Sequence, residues 1–119
     1  MCFYLNLNNL FPKIANRDII CYKETEDKRN GAFISDIYPK RYKLNVIQKK
    51  VFLETIPTVI GSGAINEGYH SFSTKAHLHK YCSYHGKFII PKGTEYYYNP
   101  EHKEYVSETI IFKGFIKWQ

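Results

Sequence analysis

Residues that favour β-strands occur along this chain in short runs, and most runs are followed by Gly, Pro or a polar cluster. The chain contains 11 Tyr, 8 Phe and 1 Trp in 119 residues, and that much aromatic surface can form a buried core. Disordered chains contain few aromatic residues, so we exclude that class. No apolar run reaches the roughly 20 residues that a membrane span needs. We therefore predict a single domain over residues 1–119 and expect no membrane partner.

Six runs predict strands because they are rich in β-branched and aromatic residues. They cover residues 18–23, 42–46, 51–56, 87–90, 94–98 and 109–112. Residues 99–102, Asn-Pro-Glu-His, are typical of a turn between two strands. Residues 60–64, which include two Gly, predict a flexible connection.

One segment predicts a helix, running from about Thr74 to Tyr84. Ser73 or Thr74 can cap its first turn by accepting a hydrogen bond from a backbone N–H, and Gly86 follows its end. Four residues at helical spacing form one mostly apolar face: Leu78, Tyr81, Cys82 and His85. Strands around one principal helix predict an α+β domain, compact and dominated by strands.

The three cysteines, Cys2, Cys21 and Cys82, are odd in number and too few for a disulfide framework. Cys21 lies in an apolar run and Cys82 on the apolar face of the predicted helix, so we predict buried, reduced thiols. The first six residues lack the positive charge that begins a secretory signal. We therefore expect a cytoplasmic protein, located in the host cytoplasm if its origin is a phage.

Histidines crowd into the predicted helix and raise the question of a zinc site, with His77, His79, Cys82 and His85 as the candidate ligands. His77 and His79 would lie on different faces of that helix. No second ligand pair occurs at the short spacing of structural zinc sites. We predict no metal site, but surface histidines beside a buried thiol.

The formal net charge of +6 favours a phosphate-bearing or polyanionic partner, although a charge of this size also serves solubility alone. Cations and rings alternate in one patch formed by Tyr38, Lys40, Arg41, Tyr42, Lys43, Lys49 and Lys50. Such a patch can stack on bases and pair with phosphates, or it can be a solvated rim beside a strand. One functional hypothesis is therefore a nucleic-acid- or protein-binding module without a small-molecule site.

Residues 68–74, Gly-Tyr-His-Ser-Phe-Ser-Thr, place three hydroxyl groups and one imidazole just before the predicted helix. The N-terminus of a helix favours an anion because its backbone N–H groups are unpaired and its dipole is positive there. An ordinary strand end followed by a helix cap explains the same residues. The segment is therefore a candidate phosphate site.

Four segments occur in an informative order along the chain. Cys21-Tyr22-Lys23 ends an early strand, and residues 68–74 follow in the middle. Residues 91–94, Pro-Lys-Gly-Thr, then precede a late strand at residues 105–112. This order resembles the Arg–Ser–Glu branch of the ADP-ribosyltransferase fold, with Lys23 in place of the family's Arg and Val106 in place of the first Glu of its Glu-x-Glu pair.

The resemblance implies a site for an NAD-like or ADP-ribose-like nucleotide. In such a site Lys23, with a nearby basic residue such as Arg41, would neutralise the diphosphate. Hydrogen bonds would come from Ser71, Ser73 and Thr74, and Tyr69 or Tyr22 would stack on a ring. His70 would line the same pocket. Glu108 would take the catalytic position of a minimal ADP-ribosyltransferase or NAD glycohydrolase. Because the family's Arg and first Glu are absent, the residues fit a binding protein as well as an enzyme. Such a protein would only sequester a nucleotide signal, as a phage-type antagonist of host defence would.

Overall fold

The computed structural model describes residues 3–5, 12–25, 27–29, 31–35, 41–51, 53, 55–57, 63–65, 68–75 and 84–116. Strands make up most of this part of the chain. In chain order they are β1 (Phe3–Leu5), β2 (Lys13–Ile14), β3 (Ile19–Thr25), β4 (Asp27–Arg29), β5 (Ala32–Ile34), β6 (Arg41–Tyr42), β7 (Thr55–Pro57), β8 (Gly63–Ile65), β9 (Tyr69–Phe72), β10 (Tyr84–Ile90), β11 (Glu95–Asn99), β12 (Glu104–Ser107) and β13 (Ile111–Ile116).

The strands form three antiparallel sheets. The largest has seven strands in the order β13-β10-β3-β9-β12-β11-β2, and the two others have the orders β4-β5-β6 and β1-β8-β7. Strands β3 and β10 pair along seven residue positions, from Tyr84↔Thr25 to Ile90↔Ile19. This is the longest ladder of the large sheet.

The main core lies where strands β5 and β6 contact one face of the large sheet. Phe33, Phe88 and Phe112 are almost fully buried there, and the Phe33 and Phe88 rings meet edge to face at 5.0 Å between centroids. Gly86 in β10 permits this contact, because a Cβ at that position would lie 2.9 Å from the Phe33 ring. An edge-to-face arrangement is a favoured geometry for aromatic pairs.

A smaller cluster contains Leu53, Tyr97 and Val106. Gly68 is necessary beside it, since a Cβ at Gly68 would lie 2.5 Å from Val106 Cγ2 and 2.8 Å from Leu53 Cδ2. The φ of Gly68 is also +128°, a conformation that residues with side chains rarely adopt. This glycine therefore fixes where β9 begins.

The predicted α+β class with one principal helix is wrong, because the described residues are predominantly strands and contain no α-helix. Tyr84, His85 and Gly86 belong to β10, where they pair with Thr25, Glu24 and Lys23. Gly86 is thus a close-contact residue inside a strand and does not end a helix. The middle of the predicted helix, residues 76–83, lies outside the described residues, as does Cys82.

The proposed helix caps have other partners or positions. The Ser73 hydroxyl lies 3.2 Å from the Tyr98 hydroxyl, and the Ser73 N–H donates to the carbonyl of Lys103 at 2.8 Å. Thr74 is exposed. The hydroxyl-rich segment is therefore attached to the β11–β12 turn, and residues 76–83, over which the sequence predicts the helix to continue, lie outside the described residues.

Several local predictions are confirmed. Strands occupy residues 19–25, 84–90 and 95–99, which contain or overlap three predicted runs. Asn99 Oδ1 accepts hydrogen bonds from the N–H groups of Glu101 and His102, which gives the predicted turn. The predicted flexible connection at residues 60–64 instead contributes Gly63 and Ala64 to β8. No helix in the described part of the chain is long and apolar enough to span a membrane.

Candidate ligand-binding site

Strands β3 and β9 are neighbours in the large sheet, but they pair at only one position, Tyr22↔Phe72. The other central ladders are much longer, with four positions between β9 and β12 and seven between β3 and β10. Extending the antiparallel register by one residue places Lys23 opposite Ser71. The backbone ladder is therefore interrupted at these two polar residues.

Lys23 is partly buried at this interruption. Its Nζ donates a hydrogen bond to the carbonyl of His70 at 2.5 Å and lies 5.7 Å from the centroid of the Tyr42 ring. Burial lowers the pKa of Lys23 to about 8, while the nearby Cys21 and Glu104 act in the opposite direction. An ammonium has three donors, so one backbone carbonyl does not use its full capacity.

Ser71 faces the same side of the sheet as Lys23 and is only 1% exposed. Its hydroxyl has no nitrogen or oxygen hydrogen-bond partner among the described residues, and its close polar neighbour is the Cys21 thiol, whose pKa burial raises and a hydrogen bond with Ser71 lowers. A thiol is only a weak hydrogen-bond partner. Cys21 is fully buried, and burial raises its pKa to about 12. The prediction of a buried free thiol is therefore confirmed for Cys21, whereas Cys2 and Cys82 lie outside the described residues. We refer to Cys21, Lys23 and Ser71 as the Lys23 site.

Three partly buried tyrosines extend from the Lys23 site across the next two strands. Tyr105 of β12 pairs with Ser71 of β9 on one side and with Tyr98 of β11 on the other. Paired residues project from the same face of a sheet, so Ser71, Tyr105 and Tyr98 share one face. The rings of Tyr98 and Tyr105 are 4.8 Å apart between centroids, and those of Tyr96 and Tyr105 are 5.7 Å apart. An aromatic row thus lies beside the serine and the lysine.

The side chain of His70 faces the opposite side of the sheet from Ser71. Its Nδ1 is 3.5 Å from a carboxylate oxygen of Glu104, with 12% and 11% of the two side chains exposed. Only the His70 carbonyl contacts Lys23. Glu104 was not identified from the sequence, and the available signal was a charged residue at the start of a short strand whose next two residues are Tyr105 and Val106.

Glu108 lies apart from the Lys23 site. It follows Tyr105, the partner of Ser71, by three residues, which corresponds to about 10 Å along a strand. One of its carboxylate oxygens accepts the N–H of Glu95 at 2.8 Å and lies 3.5 Å from Lys50 Nζ. We call Glu108, Glu95 and Lys50 the Glu108 cluster. These contacts give Glu108 a structural role at the start of β11.

Tyr69 and Tyr22, which were expected to stack on a ring of the ligand, lie elsewhere in the structure. Tyr69 is buried, and its hydroxyl donates to the carbonyl of Lys49 at 2.5 Å. Tyr22 is adjacent to Lys23 in a strand, so its side chain lies on the other face of the sheet. Neither ring belongs to the Lys23 site, and the Tyr98–Tyr105 row is the aromatic surface that adjoins it.

Of the remaining predicted ligand residues, Arg41 is exposed in β6, opposite Ile34, and Thr74 is exposed after the end of β9. The Ser73 hydroxyl lies 3.2 Å from that of Tyr98, so Ser73 adjoins the tyrosine row. The structure therefore brings together Lys23 and Ser71, with the backbone of His70, from the set that the sequence suggested.

The described residues contain no group of three or more His, Cys, Asp or Glu side chains that could hold a metal ion. Among the four helix positions considered for zinc, His85 lies buried in β10, and the other three fall outside the described residues.

Comparison with known proteins finds no matching family model, no matching curated protein and no matching solved structure. The resemblance to the ADP-ribosyltransferase fold therefore stays a prediction from sequence motifs.

Proposed function

We propose that this protein binds a phosphate-bearing nucleotide of the NAD or ADP-ribose type at the Lys23 site. The observation that carries the proposal is the buried Ser71 hydroxyl, which has no partner among the described residues other than the weakly bonding Cys21 thiol and sits across the interrupted ladder from the Lys23 ammonium.

Burying these two groups without full pairing has an energetic cost. An unpaired buried hydroxyl costs about 1–3 kcal/mol, and buried polar groups in folded proteins are nearly always paired. A phosphate oxygen accepts hydrogen bonds from both a hydroxyl and an ammonium. Such a ligand would satisfy Ser71 and use the remaining donors of Lys23.

The neighbouring tyrosines support a nucleotide over a free anion. Tyr105 and Tyr98 lie on the next two strands on the same face, and adjacent strands are about 4.8 Å apart. A base stacked on these rings would thus lie two or three strand spacings, about 10–14 Å, from Lys23. Aromatic side chains recognise any base by stacking.

The proposal is for binding and does not include cleavage of a glycosidic bond. Glu108 is the residue that the family resemblance makes catalytic, and its carboxylate is paired with the Glu95 N–H and Lys50. A sequestering protein needs the phosphate and base contacts only, so it does not need a carboxylate at the sugar.

A thermal-unfolding panel tests this proposal. NAD, ADP-ribose, a short oligonucleotide and inorganic phosphate are added in turn to the native protein and to its Lys23→Met, Ser71→Ala and Lys92→Met variants. Lys92 is an exposed lysine away from the site, and it provides the matched control. A ligand present at about 100 times its dissociation constant adds roughly 2.7 kcal/mol of apparent stability.

We expect NAD or ADP-ribose to stabilise the native protein and Lys92→Met, and to stabilise Lys23→Met and Ser71→Ala much less. The proposal is contradicted if neither nucleotide stabilises the native protein. It is also contradicted if both site variants respond like Lys92→Met.

A further inference from the structure

Three aliphatic side chains are strongly exposed in one short segment that runs beside β13. Leu44 is 53% exposed, Val46 46% and Ile47 59%. Single exposed aliphatic residues are common on protein surfaces, but several of them in one place mark an interaction site. We call residues 43–50 together with Lys113 the 43–50 surface.

Hydrogen bonds to the edge of the large sheet hold this segment in place. The N–H of Asn45 donates to the carbonyl of Phe112 at 2.8 Å, and the N–H of Gln48 donates to the carbonyl of Ile110 at 3.1 Å. The Thr109 hydroxyl donates to the Gln48 carbonyl at 2.7 Å. The exposed side chains are thus presented from a fixed backbone.

Asn45 lies between two of these exposed residues and forms a local turn. It has a φ of +59°, and its side-chain oxygen accepts a hydrogen bond from Lys113 Nζ at 2.6 Å. Asparagine tolerates this left-handed conformation better than most residues. Leu44 precedes Asn45 and Val46 follows it, and both side chains are exposed.

Lysines surround the three aliphatic residues. Lys43, Lys49, Lys50 and Lys113 are all exposed. Within the described ranges, one acidic side chain contacts these lysines: Glu108 lies 3.5 Å from Lys50. The 43–50 surface therefore combines apolar side chains with a net positive charge.

We propose that the 43–50 surface adsorbs to an anionic lipid bilayer, with Leu44, Val46 and Ile47 entering the interface and the lysines meeting lipid phosphates and carboxylates. A bilayer interface offers negative charge next to hydrocarbon, which matches both components of the surface. Lysine side chains can keep their charged ends among headgroups while their stems follow the apolar layer. The earlier expectation of no membrane partner considered only spanning segments, and adsorption needs none.

Composition favours lipid over a protein or a nucleic acid. Protein interfaces are depleted in Lys and enriched in aromatic residues and Arg, the opposite of residues 43–50. Stacking on nucleic-acid bases requires an exposed ring, but Tyr42, the aromatic residue next to this segment, is only 2% exposed. Aliphatic side chains gain nothing from a phosphate backbone.

Vesicle flotation tests the proposal on the full chain. The probes are vesicles of phosphatidylcholine alone and vesicles in which about 30% of the lipid is phosphatidylserine, the type of anionic lipid that attracts basic surfaces. The apolar variant is Val46→Ser with Ile47→Ser, matched by Ile14→Ser with Ile20→Ser, since Ile14 and Ile20 are equally exposed elsewhere. The charge variant is Lys43→Glu with Lys49→Glu, matched by Lys13→Glu with Lys92→Glu.

We expect the native protein to float with the anionic vesicles and not with the neutral ones. The apolar and charge variants should each lower the partition coefficient by about tenfold or more, while both matched controls change it less than about threefold. Unchanged circular dichroism of every variant shows that folding is retained.

Three results would overturn the proposal. The first is no preference of the native protein for anionic vesicles. The second is binding that the Val46→Ser, Ile47→Ser variant retains in full, which would indicate adsorption by charge alone. The third is tighter binding to a duplex oligonucleotide than to vesicles, which would assign the lysines to nucleic acid. None of these results affects the nucleotide proposal, which uses other residues.

Discussion

The Lys23 site and the Glu108 cluster each place a charged side chain at the end of a ladder in the same sheet, but they differ in how well the polar groups are paired. Glu108 accepts the Glu95 N–H through its carboxylate, and its own N–H donates to the carbonyl of Glu95 at 3.1 Å. At the Lys23 site the Ser71 hydroxyl has only the weakly bonding Cys21 thiol as a partner in the described part of the chain. The Glu108 cluster joins the end of β12 to the start of β11. The Lys23 site leaves hydrogen-bond donors of Lys23 and Ser71 available to a ligand.

This difference separates structural from functional residues. A carboxylate that accepts a partly buried backbone N–H stabilises the fold, so its removal should be costly. A buried ammonium and an unpaired hydroxyl destabilise the fold, and such costs persist mainly where a site needs them. The sequence motifs treat Lys23 and Glu108 as parts of one site, and pairing in the structure assigns them different roles.

The largest effect that we expect is the contribution of Lys23 to the pH dependence of the free energy of unfolding. The pKa of Lys23 is about 8 in the folded protein, below its ordinary value of 10.5. Between these two values the unfolded chain holds more protons, so the contribution of Lys23 to the free energy of unfolding rises with pH. The rise is about 3 kcal/mol between pH 8 and pH 10.5, and below pH 8 the cost of burying the charge is present in full.

Urea unfolding of the native protein and of Lys23→Met measures this contribution. The difference in unfolding free energy between the two proteins should move in favour of the native protein by about 3 kcal/mol as the pH rises through that window. Taking the difference cancels the titration of the tyrosines. A difference that stays constant with pH would show that Lys23 is not held in a desolvated position.

Removing the Glu108 carboxylate should have the next largest effect. Glu108→Ala leaves the Glu95 N–H without its acceptor, so we expect a loss of about 2 kcal/mol in the free energy of unfolding at pH 7. Glu108→Gln keeps an oxygen acceptor and should lose about 1 kcal/mol or less. Nucleotide binding by the folded Glu108→Gln variant should be unchanged, and a large loss of affinity there would return Glu108 to the ligand site.

The smallest expected effect is on stability at Ser71. Ser71→Ala removes a buried hydroxyl that has, among the described residues, only the weakly bonding Cys21 thiol as a partner. The variant should therefore be as stable as the native protein or more stable by up to about 1 kcal/mol, as measured by thermal unfolding without ligand. A clear destabilisation would mean that the hydroxyl is paired in solution, and the contrast with Glu108 would disappear.

Local sequence patterns predict several strands of the large sheet, but around residues 84–86 they indicate a helix where the structure has a strand. The run Ile19-Ile20-Cys21-Tyr22 and the run Phe88-Ile89-Ile90 have the β-branched and aromatic composition of strands, and both are strands. His85 and Gly86 match a helix face and a helix end, but their pairing with β3 and the contact of Gly86 with Phe33 place them in β10. Tertiary packing overrides the local signal there.

The Lys23 site was predictable only in part, for a similar reason. Lys23 and Ser71 are distant in the chain, and their proximity depends on the strand order β3-β9. The sequence motifs indicated both residues. Neither the short β3–β9 ladder nor the tyrosine row beside it has a local signature, because register and pairing length depend on the whole sheet.

Isothermal titration calorimetry with ADP-ribose most directly tests the claim that the Lys23 ammonium binds a nucleotide phosphate. The titration compares the native protein, Lys23→Met and Lys92→Met at pH 7 and at about pH 9.5, where most of a group with a pKa near 8 has lost its proton. We predict that the native protein and Lys92→Met bind at pH 7 and weaken by about tenfold or more at the higher pH. Lys23→Met should show little binding at either pH. Affinity that is independent of pH, or that Lys23→Met retains, would contradict the account.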